Sequence, residues 1–273
     1  MPEGPEIRIA ADRIARVLIG ERVEEVLLAL PRLRRFEKRL HGTTVARVDT
    51  RGKAMLTRFT NGLTLYSHNQ LYGRWYVTAP GRMPRTNRTL RVALHTASGS
   101  ALLYSASDIE VLDDAGLEAH PFLSRIGPDI LDAQLTWNTL AARLAQARFR
   151  GRSLAALYLD QGFLAGTGNY LRSEILHFAG LDPARRPADM SRAERQRLAR
   201  QTLAVARRSY RTRGITNPPA RVRARKAAGD TSRGAHRFAV FARAGKPCDA
   251  CGATIQRATA GSRRIYFCPD CQA

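Results

Sequence analysis

The stretch HPFLSRIGPDILD, residues 120–132, separates two parts of the chain that differ in their hydrophobic pattern. It contains two prolines and a glycine, which favour connections over regular elements. Before it, from about residue 22 to residue 112, short runs that alternate between apolar and polar residues predict strands. After it, apolar residues recur at the spacing of a helix. The sequence therefore predicts a multidomain α+β protein with a hinge at residues 121–135.

The N-terminal domain, residues 2–120, is predicted to combine one helix with a mostly β architecture. Residues 5–19 carry an apolar helical face; Pro5 suits the first turn, and Gly20 follows the last turn. Asn61-Gly62 separates two apolar runs, and this dipeptide is the strongest short-range signal for a hairpin. Strands of this kind are buried in a β-sandwich or in a barrel.

The C-terminal domain, residues 136–235, is predicted to be helical, with helices at residues 137–147, 154–160, 169–179 and 192–210. Ser191 and Glu194 have the spacing of a capping box at the start of the last helix. Residues 211–235 are basic and rich in glycine and proline, which predicts a mobile, solvated loop. In residues 236–273, short strands surround the four cysteines of the chain.

Those cysteines form two Cys-x2-Cys pairs separated by sixteen residues. The spacing is typical of a zinc ribbon, in which four thiolates complete a tetrahedral shell with no open position for catalysis. Two disulfides are the alternative, but a chain without an export signal favours the metal. We therefore expect one structural zinc ion bound by Cys248, Cys251, Cys268 and Cys271. Arg263 and Arg264, between the pairs, would then be held rigidly, which suits phosphate binding.

The charge balance indicates a polyanionic partner. The 273 residues include 45 basic and 23 acidic side chains, which gives a formal net charge of +22. Such a charge favours nucleic acid first and an anionic membrane surface second. Residues 1–20 are too rich in charge for a signal peptide, and the apolar runs are too short to span a membrane. We expect a soluble cytoplasmic protein, and a monomer, since no surface stripe indicates a partner subunit.

The N-terminal residues MPEGPE suggest chemistry. If Met1 is removed, Pro2 carries a secondary amine with a reference pKa below that of lysine, and such an amine can attack a carbonyl carbon. Glu3 and Glu6 place two carboxylates nearby, which could act in proton transfer. Capping of the first helix explains the same residues without catalysis, and the residues alone favour that explanation. Lys53 is one of only four lysines, so its amine is a further candidate.

Two other motifs suit DNA. In GFLAGTGNYLRSEIL, residues 162–176, Gly168 and Asn169 precede a helix, where exposed backbone N–H groups and the helix dipole could bind a phosphate. Gln70-Leu71-Tyr72 follows the predicted hairpin, and residues of these types can wedge into a base stack when an enzyme flips a base. A buried Leu-Tyr pair is the ordinary alternative for the second motif.

Taken together, these motifs resemble the formamidopyrimidine-DNA glycosylase and endonuclease VIII family of base-excision repair enzymes, and in particular its bacterial endonuclease VIII branch. The resemblance covers nearly the whole chain. The motifs that carry it are PEGPEI (2–7), TRGKA (50–54), LTLYSHNQLYG (63–73), LLYSASDIE (102–110), HPFL with GPD at the hinge, GNYLR with EIL (168–176) and the cysteine pairs. It implies an N-terminal helix with a β-sandwich, then a helix-two-turn-helix domain that ends in a four-cysteine zinc ribbon, residues 236–273.

The resemblance also implies site residues. Pro2 matches the nucleophile that attacks C1′ of the damaged nucleotide, Glu3 the acid/base, and Glu6 a supporting carboxylate. Lys53 matches a lysine that contacts a phosphate near the lesion. Asn169 in the helix-two-turn-helix and Arg263 in the zinc ribbon match phosphate-binding residues, while Arg264 could share that task.

The substrate expected from the resemblance is duplex DNA that carries an oxidised pyrimidine. The contiguous Gln70-Leu71-Tyr72 is typical of the endonuclease VIII branch, and residues 105–110 lack the Arg-Phe pair of the purine-directed branch. The predicted activity is glycosylase with AP lyase, by β- and then δ-elimination, in the bacterial cytoplasm at the nucleoid. An oxidised-purine glycosylase and a non-catalytic zinc-ribbon DNA-binding protein are the alternatives. The basic residues 211–235 could cap the flipped base.

Overall fold

The computed structural model describes residues 2–261 and 263–272. The chain forms two compact units. The first contains Pro2 and Glu6–Arg125, and the second contains Glu3–Pro5 and the described residues from Ile126 onward. Among the described residues, no helix has both the length and the apolar character that crossing a membrane requires.

The first unit is a β-sandwich with one long helix, α1 (Gly4–Leu18). One sheet has the strand order β2-β3-β4-β8 and the other the order β1-β6-β7-β5, with antiparallel pairing throughout. The strands are β1 (Glu25–Leu28), β2 (Val45–Arg51), β3 (Ala54–Phe59), β4 (Thr64–His68), β5 (Arg74–Thr78), β6 (Leu90–Thr96), β7 (Gly99–Tyr104) and β8 (Asp108–Leu112). A 3-10 turn (Pro31–Phe36) and two short helices, α2 (Glu37–Leu40) and α3 (Asp114–Ala119), complete the unit.

The core of this unit lies between the two sheets and under α1. Ile7 and Ile14 of α1 pack with Met55 of the first sheet and with Leu94 and Leu103 of the second. The Asn61-Gly62 hairpin is confirmed: β3 and β4 pair across it, and the Asn61 side chain accepts the Leu63 N–H at 3.1 Å. Because the strands form two separate sheets, the architecture is a sandwich and the barrel alternative is excluded.

The second unit is helical and ends in a hairpin. Its helices are α4 (Trp137–Leu144), α5 (Ala147–Arg150), α6 (Leu154–Leu157), α7 (Asn169–Ala179), α8 (Arg192–Arg211), α9 (Pro219–Ala227) and α10 (Arg233–Arg237). The hairpin strands are β9 (Gln256–Ala260) and β10 (Arg263–Phe267). The capping box of Ser191 and Glu194 is present at the start of α8. Almost every side chain of α7 is buried, which makes this helix the centre of the unit.

Two predictions about this unit were wrong. Residues 211–235 do not form a loop: α8 continues through Arg211, and α9 and α10 occupy much of the rest. Pro219 suits the first turn of α9, and Asp249 binds Arg225 and thereby fixes the helix. The helix predicted at residues 137–147 ends at Leu144, because Gln146 adopts an extended backbone with ψ of 140° before α5 begins.

Candidate active site and zinc centre

The Glu3 side chain binds the first turn of α7. It is 3% exposed, and its two carboxylate oxygens accept the N–H groups of Tyr170 at 2.8 Å and Leu171 at 3.2 Å. The negative charge lies at the positive end of the helix dipole, where it is favourable. A backbone bond from Gly4 N–H to Gly166 O at 2.8 Å holds the same segment. Residues 3–5 are therefore part of the second unit.

Gly168 provides the space for this carboxylate. A Cβ atom at residue 168 would lie 2.4 Å from Cδ and from Oε1 of Glu3, closer than such atoms approach in proteins. A Cβ atom at Gly4 would lie 3.1 Å from the backbone of Gly166. The glycines of this motif thus permit the N-terminal segment to lie against the start of α7.

This contact corrects the interpretation of the glycine-rich motif. The sequence predicted that N–H groups at the start of the helix would bind a phosphate. In the structure the N–H groups of Tyr170 and Leu171 bind Glu3 instead. Neither N–H group belongs to Gly168 or Asn169, so the prediction that those two residues contact DNA stays a prediction.

Pro2 lies directly before the fixed glutamate. It is half-buried and belongs to the first unit, as does Glu6 in the first turn of α1. Because Glu3 is held on both oxygens, the peptide that joins it to Pro2 is held at one end. The arrangement can position a Pro2 amine beside a carboxylate that accepts or returns a proton.

Lys53 lies near His68 in the first unit. It occupies the turn between β2 and β3, where Gly52 has a φ of 62°, and it is half-buried. Burial lowers the pKa of His68; the Asp108 carboxylate opposes this shift, and the positive charge of Lys53 adds to it. The neutral ring nitrogen Nδ1 can then accept the N–H of Gln70, which lies 3.2 Å away. Sequence reasoning missed His68, although it directly precedes the predicted wedge.

The predicted wedge is an exposed turn between β4 and β5. Leu71 is 59% exposed and Tyr72 is 70% exposed, so they are not the ordinary buried pair. Gln70 has a φ of 49°, and its side-chain oxygen accepts the Ser107 hydroxyl at 3.1 Å. The Arg88 guanidinium donates to the carbonyl of Tyr72. An apolar pair held out from the surface in this way indicates a contact with something other than this unit.

The predicted phosphate-binding residues of the second unit meet around α7. Asn169 is the first residue of α7, and Arg263 and Arg264 lie exposed on β10. Arg172 of α7 is fully buried, and burial lowers its pKa to about 10. The Glu3 carboxylate opposes that shift, while the charge of Arg263 adds to it, so both groups lie near the Arg172 guanidinium.

Glu174, also on α7, was missed by sequence reasoning. It is fully buried, and its carboxylate accepts the N–H groups of Ala239, Val240 and Phe241 at 2.8, 2.9 and 2.9 Å. The Thr216 hydroxyl donates to the same carboxylate. These bonds fix the segment that leads into the cysteine hairpin. The sequence signal that could have revealed Glu174 is an acidic residue directly before the apolar Ile175 and Leu176 of a predicted helix.

The four cysteines form one cluster that fits a tetrahedral metal. The Sγ atoms of Cys248, Cys251, Cys268 and Cys271 all lie within 4.8 Å of one another. Three pairs are 3.9, 3.4 and 3.5 Å apart, so none of these pairs is a disulfide. Zinc–sulfur bonds of about 2.3 Å in a tetrahedron place sulfurs about 3.8 Å apart. The donor set and its spacing therefore fit zinc.

The sequence matches three protein-family descriptions in the same order as these features. Residues 1–107 match the formamidopyrimidine-DNA glycosylase N-terminal domain, and residues 126–218 match the H2TH domain of that enzyme. Residues 245–273 match the zinc finger found in FPG and IleRS. The chain is 50% identical over 273 residues to endonuclease 8 of Escherichia coli O17:K52:H18, with all of both chains covered. It is 49% identical, also over both full lengths, to endonuclease 8 of Salmonella arizonae.

The chain belongs to the formamidopyrimidine-DNA glycosylase and endonuclease VIII family. As a member, it is a DNA glycosylase of base-excision repair, with a zinc finger at its C-terminal end. The predicted fold is confirmed: an N-terminal helix and β-sandwich, a helical H2TH domain and a four-cysteine ribbon.

Solved structures of the family share this fold. A complex between Lactococcus lactis Fpg and DNA that contains an abasic site has a TM-score of 0.80 and 20% sequence identity. The match covers 99% of both chains. A complex of the same Lactococcus enzyme with DNA that contains an oxidised pyrimidine also has a TM-score of 0.80, again at 20% identity. At that identity, the likeness is one of fold.

Proposed function

We propose that this glycosylase removes oxidised pyrimidines from duplex DNA and then cleaves the strand as an AP lyase, with Pro2 as the nucleophile. The observation that carries the proposal is the buried Glu3 carboxylate, held on both oxygens by α7 directly beside Pro2. Capping of α1 accounts for Pro5 and Glu6 but gives no reason for a carboxylate fixed on a different helix. A role as acid/base beside the Pro2 amine explains why the carboxylate is fixed there.

In the first part of the proposed reaction, the Pro2 amine loses its proton and its nitrogen attacks C1′ of the damaged nucleotide. The bond from C1′ to the base breaks, and the base leaves with the electron pair and a proton. That proton comes from the Pro2 nitrogen, whose freed lone pair then forms an iminium with C1′ as the C1′–O4′ bond breaks and Glu3 protonates O4′. A secondary amine suits this step, because its iminium carries a positive charge without needing a further proton.

Elimination follows from that iminium. Loss of a proton from C2′ sends electrons toward the cationic nitrogen, and the C3′–O3′ bond breaks. A second elimination removes a proton from C4′ and breaks the C5′–O5′ bond, and water hydrolyses the remaining iminium, which frees Pro2 and releases the sugar carbons as an unsaturated aldehyde. The nucleotide is thereby excised, with a one-nucleotide gap between two phosphates. Lys53, which lies beside His68, would contact a phosphate near the lesion, and Glu6 would support the reacting carboxylate.

DNA binding in this proposal uses both units. The net charge of +22 favours the phosphate backbone. Leu71 and Tyr72 would enter the base stack in place of the flipped nucleotide, with Gln70 beside them. Asn169 and Arg263 would bind phosphates, and the charge of Arg263 acts on the Arg172 guanidinium that binds Asn169, which supports a common phosphate site; Arg264 could share that task.

The cysteine cluster would hold one zinc ion with a structural role. Four thiolates leave no open position on a tetrahedral ion, so it takes no part in the chemistry. Its contribution is to fold a hairpin whose buried residues are too few to fold it alone. The hairpin then presents Arg263 from a fixed backbone.

The proposed preference for oxidised pyrimidines rests on the contiguous wedge at residues 70–72. Its main competitor is an oxidised-purine activity, since the family includes both. Residues 219–227 and 233–237 form α9 and α10, so these parts of the basic segment have a regular backbone with which they could line one face of a lesion pocket. Competition between duplexes that carry thymine glycol and 8-oxoguanine would rank the two, and faster cleavage at 8-oxoguanine would reverse the assignment.

Borohydride trapping tests the nucleophile. The wild-type protein should form a covalent adduct with abasic duplex DNA when borohydride is present, because borohydride reduces the iminium. Pro2→Gly should trap at least about 100-fold more slowly, because it loses the secondary amine and its positioning. Pro5→Ala is the matched control: it alters the same segment but keeps Pro2, and it should trap nearly as wild type. Equal trapping by Pro2→Gly and wild type would refute the assignment.

A further inference from the structure

Arg172 is the least exposed arginine of the described chain and has an unusual set of partners. Its exposed fraction is 0%, and its guanidinium makes three hydrogen bonds. Nη1 donates to the Ala155 carbonyl at 2.8 Å. Nη2 donates to Asn169 Oδ1 at 2.7 Å and to the Arg264 carbonyl at 3.0 Å. One nitrogen therefore joins the start of α7 to β10.

Stability alone does not favour an arginine at this place. Removing a charged group from water is costly, and an apolar residue of similar size would often stabilise a buried site better. In addition, Arg172 Nε has no hydrogen-bond partner among the described residues. A buried arginine with one unsatisfied donor calls for a reason beyond packing.

The bond to Asn169 fixes the orientation of that amide. A guanidinium has only donors, so the Asn169 atom that it binds must be the amide oxygen Oδ1 and not the amide nitrogen. The Nδ2 group then points away from Arg172 and offers its hydrogens to an acceptor. A phosphate oxygen is an acceptor of this kind.

The bond to Arg264 acts on the neighbouring strand. β10 is attached to α7 by this bond and by Tyr266 N–H, which donates to Ser173 Oγ at 3.3 Å. Ile265 of β10 is buried in the core of the helical unit. Arg263 comes directly before the carbonyl that Arg172 holds, and its charge acts on the Arg172 guanidinium. The same buried side chain thus fixes both the Asn169 amide and the backbone that presents Arg263.

We propose that Arg172 is a positioning residue for DNA binding: it turns the Asn169 amide toward phosphate and sets the place of Arg263 relative to it. This inference rests on the proposed function, in which those two residues bind phosphates near the lesion. Arg172 itself, being fully buried, does not touch DNA.

The test uses the zinc-loaded full chain and a duplex that contains a tetrahydrofuran abasic analogue, which binds but is not cleaved. Arg172→Met should raise Kd about tenfold, because two phosphate contacts are misplaced, each worth a fraction of the binding free energy. The slope of log K against log salt should become about 0.9 less steep, which is the value for one lost ionic contact. Arg208→Met is the matched control, since half-buried Arg208 also donates to a carbonyl, that of Thr216, without contacting Asn169 or β10. It should leave both quantities unchanged.

A double-mutant cycle separates positioning from a loss of stability. In an Asn169→Ala, Arg263→Ala background, adding Arg172→Met should change Kd less than about twofold, because the groups it positions are gone. A second tenfold loss in that background, or an unchanged salt slope for Arg172→Met alone, would overturn the proposal.

Arg172→Lys covers the case in which the methionine variant does not fold. It keeps a positive charge, but one ammonium cannot reach all three acceptors, so Kd and salt slope should lie between wild type and Arg172→Met. Zinc content and circular dichroism check that each variant is folded. If folded Arg172→Lys behaves as wild type, Arg172 does not position these groups. Failure of wild type to trap abasic DNA would instead refute the proposed function, whatever the variants do.

Discussion

At the scale of single residues, the candidate site depends on a fit between Glu3 and Gly168. Glu3 was assigned from its resemblance to a family motif, and the start of α7 was predicted at the right residue. Their contact was not predicted, because nothing in the local pattern of either segment encodes a bond between residues so distant in the chain. The glycines were therefore interpreted as a phosphate clamp, when one of them makes room for a carboxylate.

Gly168→Ala should damage the reaction more than the fold. The new Cβ would lie 2.4 Å from the Glu3 carboxylate, so the carboxylate must move away from α7. A displacement of about 1 Å can reduce a rate about 100-fold, and we expect single-turnover cleavage of a thymine glycol duplex to fall by that order.

Gly151→Ala is the control for that substitution. A Cβ at residue 151 meets nothing within 4 Å, and its φ of −88° suits alanine, so cleavage should stay at the wild-type rate. If Gly168→Ala cleaves as fast as Gly151→Ala, the position of Glu3 does not limit the reaction.

At the scale of elements, α9 is held by a residue of the zinc ribbon. Arg225 of α9 donates from Nε and Nη2 to Asp249, which lies between Cys248 and Cys251. Arg243 binds the other oxygen, Oδ1, at 3.0 Å, and Arg221 Nε of α9 lies 3.9 Å from the Oδ2 that Arg225 binds. The basic composition of residues 211–235 predicted a mobile loop, because like charges repel one another. Asp249, which is outside that segment, provides the counter-charge that lets α9 form.

Asp249→Asn should release α9 while the rest of the protein stays folded. Its carboxylate is one-fifth exposed, and its loss leaves three arginines near each other without this counter-charge. Trypsin should then cleave within residues 219–237 about tenfold faster, which corresponds to local opening that costs about 1.4 kcal/mol less. Peptide mapping over a time course measures the rate.

Asp270→Asn is the matched variant for that experiment, since exposed Asp270 also lies between two cysteines, Cys268 and Cys271. We expect its cleavage pattern to equal that of wild type. Equal acceleration in both variants would show that loss of zinc, rather than loss of the α9 contact, opens the segment.

At the scale of the whole molecule, charge and metal act together. An excess of 22 positive charges gives affinity for any duplex, whereas the site needs a few cations at fixed places. In the proposed function, the zinc ribbon supplies such a place for Arg263. The sequence predicted the net charge and the cysteine cluster well, because charge is a sum over residues and the spacing of cysteines is a local pattern. It predicted contacts less well, because α7 takes its partners Glu3, Ala155 and Arg264 from three distant segments.

Removal of zinc should weaken DNA binding without unfolding the sandwich. The hairpin depends on the metal, so chelation should release Arg263 and make the salt slope about 0.9 less steep or more. The β-sandwich has its own core and should keep its circular dichroism signal. Added zinc should restore the slope; a metal-free protein with the wild-type slope would contradict this role of the ribbon.

The contact between Glu3 and α7 also sets an order of events during synthesis. The third residue leaves the ribosome early, but the helix that receives it is made more than 160 residues later, on the order of ten seconds or more at ordinary elongation rates. During that interval the chain end is accessible to the peptidase that would remove Met1. In the proposed reaction, the Pro2 amine would thus be uncovered before the Glu3 carboxylate reaches its final position, and a truncated chain that lacks α7 would lack the N–H groups that hold Glu3.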